Sequence, residues 1–99
     1  MAKIYVAECY LPTLYNGHAL AVSKLPAITE QVVAIGGTST QSNAFNALTR
    51  LIRVHTDAIC SIAISSNPTA TANTSRMAAG QTEYFEVNAG DKIAVITNT

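Results

Sequence analysis

Ninety-nine residues with six basic and six acidic side chains carry no net charge, and only 12% of them are charged at all. No basic excess is present to neutralise phosphates, which excludes nucleic acid as an expected partner, and an apolar share of 48% excludes a disordered chain. The remainder is small and neutral, with 12 Thr, 7 Ser, 7 Asn and 16 Ala, and the length fits a single domain spanning residues 1–99.

The hydrophobic period is mostly two, the mark of half-buried strands. Ile4 and Val6 alternate with Lys3, Tyr5 and Ala7 in a first predicted strand, ended by Pro12 and the turn pair Asn16-Gly17. The opening Met1 to Glu8 holds one Lys and too short an apolar run for a secretory signal, and no window nears the ~18 apolar residues of a membrane span. Folding in a cytoplasm, with no membrane partner, is therefore expected. In that compartment Cys9 and Cys60 are expected as reduced, interior residues rather than a disulfide.

Ala19 to Ser23 is a short second strand, stopped by Pro26, and Thr29 to Ile35 a third, ended by Gly36-Gly37. Gly36 to Asn43 has no apolar side chain in eight residues, which requires a surface loop. Residues 43–53 read two ways. Ala44, Ala47, Leu48, Leu51 and Ile52 fit helical spacing, with Ser42 or Asn43 as a cap. A strand from about Leu48 to Thr56 fits as well, with Leu48, Ile52 and Val54 on one face and Arg53, His55 and Asp57 on the other. The strict alternation of Cys60, Ile62 and Ile64 with Ser61, Ala63 and Ser65 favours the strand, and a short link at Asp57-Ala58 lets the two segments pair or bend between sheets.

Asn67 to Ser75 is a loop of nine neutral residues, too polar for a core and too uncharged for an ordinary linker. Thr82 to Val87, Asn88 to Asp91 and Lys92 to Thr97 read as strand, Gly-containing loop and strand, a predicted hairpin. Phe85 and Val87 take its inner face, Glu83 turns outward, and Tyr84 and Glu86 share the opposite face. The expected fold is all-β: a small β-sandwich or jelly-roll-like barrel of about six to seven short antiparallel strands.

Chemistry is sparse. His55-x-Asp57 sets two ligand types on one strand face, with Glu83 or Asp91 as conceivable thirds. A cupin-type metal enzyme would bring a second His and a following Glu, and that set is incomplete, leaving His55 beside Arg53 near solvent and Asp57 at a strand end. Cys60 alternates with isoleucines, where a thiol is usually inert. Neither a nucleophile elbow nor a phosphate loop occurs, since Gly36-Gly37 lacks the following Lys and helix. Tyr5, Tyr10 and Tyr15 are five apart, a spacing that builds no stacking platform on a strand face. Met77 reads as a strand-end anchor, and no catalytic residue, metal or cofactor is expected.

The run Phe45 to Ile64, the loop Asn67-Pro-Thr-Ala-Thr71, and Gly80 to Val87 followed by Gly90 to Ile96 together resemble small structural proteins of tailed bacteriophages and prophages, of the capsid-associated or decoration type. The similarity covers roughly residues 45–97, and it departs at Ser65-Ser66, where a glycine is expected. The resemblance implies a β-sandwich and a place in the virion, and it carries no catalytic residues.

A neutral, site-free β domain suits the same role, because its work is burying surface against neighbours. The expected function is a virion structural protein that coats or cements the capsid through neutral loops. Its expected partners are copies of itself and the major capsid protein or another virion protein. Thr38, Thr40, Asn43, Asn67, Pro68, Thr69, Thr71 and Asn73 are the predicted contact residues. A phage-borne module that binds a host glycan or receptor is the alternative, and a cupin-like metal enzyme the residual.

Overall fold

The computed structural model describes residues 2–10, 14–15, 18–19 and 27–99. Its strands are β1 (Lys3–Cys9), β2 (Leu14–Tyr15), β3 (His18–Ala19), β4 (Thr29–Ala34), β5 (Thr40–Gln41), β6 (Leu51–Thr56), β7 (Cys60–Ser65), β8 (Ser75–Met77), β9 (Thr82–Glu86) and β10 (Lys92–Thr97), with no helix among the described residues. One four-stranded sheet runs β4-β1-β6-β9 and a second runs β5-β10-β7-β8, while β2 pairs with β3. Every pairing is antiparallel. The second predicted strand and the Pro12 and Asn16-Gly17 turn signals fall almost wholly outside the described residues.

The alternation read from the sequence orients the two sheets. Ile4, Val6, Val33, Ile52 and Val54 come from the first sheet, and Cys60, Ile62, Met77, Ile93 and Val95 from the second. They meet in one cluster, closed at one end by Phe45 and Val87, so the architecture is a sandwich with the core between its sheets. Each such side chain contributes roughly 1.5–3 kcal/mol by leaving water. Met77 does anchor the end of β8, buried in that core.

The predicted hairpin over 82–97 does not form. β9 pairs with β6 in the first sheet, whereas β10 pairs with β7 and β5 in the second. The loop between them is a crossing from sheet to sheet. Asp91 N–H donates to the Asn88 carbonyl at 3.1 Å, and the Asp91 carboxylate accepts from Asn88 N–H at 3.1 Å. Gly90, at φ 81°, supplies the left-handed residue this tight return needs. A hairpin turn and a crossing turn use the same residues, which is why composition alone misassigned the pairing. The register also sets Glu83 opposite Val54, on the Phe85 side, and it reaches solvent because β9 is an edge strand. Exposed Glu83 and Glu86 there discourage pairing with another chain's edge.

Residues 43–53 resolve as neither a helix nor a strand from Leu48. A loop with a turn at Ala47-Leu48 leads into β6, which begins at Leu51, and Leu48 lies 58% exposed instead of joining Ile52 and Val54. The Asp57-Ala58 link bends between sheets, since β6 and β7 lie in different ones. Thr56 holds this corner, its hydroxyl donating to the Ala58 carbonyl at 2.6 Å.

Candidate functional site

Glu8 is the most unusual residue of the first sheet. It continues the inward phase of Ile4 and Val6, yet it is a carboxylate only 1% exposed. One oxygen accepts from Asn46 N–H at 2.7 Å and from the Thr49 hydroxyl at 2.8 Å; the other accepts from the Gln31 amide at 2.8 Å. Gln31 in turn accepts Asn43 N–H at 2.9 Å. The carboxylate thus ties β1 and β4 to the 43–50 loop, whose Phe45 closes the core. Among the described residues no buried side-chain nitrogen or oxygen lacks a partner. With its partners all drawn from the scaffold, this group acts as a structural latch. The signal for it was present in the sequence, as an acid in the i+4 position of an inward strand face.

The two neutral loops meet. The Gln41 amide donates to the Asn67 side chain at 3.0 Å and to the Pro68 carbonyl at 2.7 Å, and Ala70 N–H donates to the Ser39 hydroxyl at 2.9 Å. Farther along, the Asn98 amide donates to the Ala72 carbonyl at 3.2 Å and to the Ser61 hydroxyl at 2.7 Å. Residues 66–74 therefore strap the outer face of the second sheet, from β7 across β10 to β5. This explains why Ala94 and Ser61, on the outward phase, are fully buried. Of the predicted contact residues, Thr38, Thr40, Asn67, Thr69 and Thr71 are exposed around this junction. Pro68 is buried within it, its carbonyl taken by the Gln41 amide. Asn43 stands apart against Gln31, and Asn73 lies in the turn closed by Thr71 and Thr74.

The outer face of the first sheet carries another set. The register aligns Val32, Tyr5, His55 and Thr82 in one row and Glu30, Ala7, Arg53 and Tyr84 in the next. Val32, Tyr84 and Tyr5 are 57%, 43% and 40% exposed. Over Ala7 lies a depression of about 180 Å³, walled by Tyr5, Glu30, Val32 and Arg53. That is below the roughly 300–1,000 Å³ of small-molecule pockets.

His55 belongs to this face. Its Nδ1 lies 2.8 Å from the Thr82 hydroxyl and its ring 6.4 Å from that of Tyr5. Glu83 falls on the opposite phase, and Asp91 is engaged in its own turn, so neither joins His55; no group of three His, Cys, Asp or Glu side chains converges among the described residues. Compared with protein-family models, with curated proteins and with solved structures, the chain has no match.

Cys9 and Cys60 are both buried, and no disulfide joins them. Burial pushes the Cys60 thiol above its ordinary value of 9.0, partly offset by its hydrogen bond to the Thr56 hydroxyl. The folded state therefore holds this proton more tightly than the unfolded chain. The resulting stability is complete below pH 9.0 and is lost as pH rises through the raised value. In urea titrations the wild-type midpoint is expected to fall above about pH 9 more steeply than that of Cys60→Ala. Equal slopes would remove this role for the thiol.

Proposed function

We propose that this chain is a structural component of a phage virion, attached to the capsid through the joined loops 36–43 and 67–75 and serving to coat or cement the particle. The observation that carries the reading is the junction of those loops through Gln41, Asn67, Ser39 and Ala70. It gathers hydroxyl and amide side chains without a charge on one rigid surface. Such a surface buries against a partner at a lower desolvation cost than a charged one, provided its groups find hydrogen bonds there, and with little dependence on salt. The resemblance of residues 45–97 to capsid-associated phage proteins supports the same role. Self-association belongs to the reading, because a chain without net charge has little to repel its copies.

Thr69→Asp with Thr71→Asp is expected to weaken attachment to emptied capsids by tenfold or more, at roughly 1–3 kcal/mol for each carboxylate buried without a partner. Both positions are exposed, so the melting temperature should stay unchanged. Co-sedimentation of protein with capsids measures the effect, and undiminished binding would overturn the assignment of the loops. The depression beside Tyr5 favours the second reading, a glycan- or receptor-binding module, since an aromatic ring with flanking Glu30 and Arg53 suits a sugar face and its hydroxyls.

A further inference from the structure

We infer that the outer face of the β4-β1-β6-β9 sheet binds a second copy of this chain across a two-fold axis running along β1. The inference rests on the self-association part of the proposed function and not on capsid docking. Its basis is a charge pattern that is complementary to itself. Glu30, Ala7 and Arg53 are consecutive in one register row, so an acid and a base sit one strand to either side of β1. Among the described residues neither the Glu30 carboxylate nor the Arg53 guanidinium has a side-chain hydrogen bond or ion pair.

A two-fold axis lying between two such sheets, parallel to β1, exchanges β4 with β6 and keeps β1 opposite β1. Each Glu30 then faces Arg53 of the other copy, twice per dimer. Ala7 meets Ala7, and this small residue, 8% exposed at the floor of the depression, lets the two backbones approach. In the adjoining row Tyr5 faces Tyr5 and Val32 faces His55, which covers two of the exposed apolar side chains. Sheets stacked in this way lie ~10 Å apart with strands within ~30° of parallel, a geometry the in-plane axis permits. With one charge pair and one apolar pair repeated by the axis, a dissociation constant on the order of micromolar is expected, weaker than that of tight complexes.

Sedimentation equilibrium of the full chain over a range of concentrations tests this. Glu30→Arg and Arg53→Glu should each weaken dimerisation by about tenfold or more, because like charges then meet twice. Glu30→Arg combined with Arg53→Glu should return it to within about threefold of wild type. Val32→Lys, at the most exposed apolar position of the face, should also give monomer without disturbing the fold. An oligomer indifferent to Glu30→Arg and Val32→Lys would overturn this interface while leaving self-association standing. A monomer at every concentration would overturn both, and if retained on a glycan array would assign the depression to sugar.

Discussion

Ile52→Ala is expected to lower the free energy of unfolding by about 4 kcal/mol, within the roughly 2–5 kcal/mol seen for truncating a buried Ile or Leu. Ile52 is fully buried, lies between Glu8 of β1 and Phe85 of β9 in register, and belongs to the common core. Its side chain is held from both strand neighbours, so the site has little freedom to collapse around a smaller residue. Against a total of about 5–15 kcal/mol for a domain, that loss approaches unfolding at physiological temperature. Urea denaturation should show a lower midpoint at unchanged slope. Leu48→Ala is the control: with Leu48 58% exposed, it should cost under about 0.5 kcal/mol. A large effect at Leu48 would restore the strand that begins there.

Glu8→Ala should cost about 3 kcal/mol for a different reason. The substitution removes a carboxylate on which the Thr49 hydroxyl, Asn46 N–H and Gln31 amide all converge. Thr49 is itself fully buried, so its hydroxyl has no water to turn to, and a buried unpaired group costs roughly 1–3 kcal/mol. Glu8→Gln keeps the shape, yet it turns an amide donor toward a donor, with an expected cost of about 1–2 kcal/mol. The loss should be local before it is global, and protection of the 43–50 amides from hydrogen exchange should fall first. If Glu8→Ala melts like wild type, the carboxylate is not the latch described.

Period-two patterning reported β1, β4 and β7 well, because their inward side chains are apolar and must alternate, whereas β10, with Ala94 buried beside Ile93 and Val95, shows as a continuous apolar run. It could not report which strands pair. β9 and β10 are joined by a Gly-containing loop of hairpin length, and only their separate partners, β6 and β7, reveal the crossing. Leu48 departs from its expected place for a related reason: an apolar residue in phase with a strand still lies outside it once the backbone turns at Ala47-Leu48. The loop junction was half legible. Neutral composition marked both loops as unusual, but the bonds from Gln41 and Ser39 that unite them join residues 26 to 31 positions apart. Glu8 becomes legible only when strand phase is applied to an acid, a residue type that ordinarily faces solvent. The Glu30–Ala7–Arg53 row emerges only from register, which sequence spacing does not encode.

The repeated passage of the chain between sheets has a consequence in time. After β4 the path runs to β5 in the second sheet, back to β6, over to β7 and β8, back to β9 and over again to β10. Only β7 and β8 are consecutive neighbours on this path, so almost no strand can find its partner by a short local closure. Each sheet becomes complete only when the other does, and the loop entropy of both falls due before either is rewarded. Such a topology folds slowly, on the scale of milliseconds to seconds, through a barrier that the return journey must also cross. A chain slow to enter its native state and slow to leave it endures by the height of that barrier, whatever the modest depth of its well.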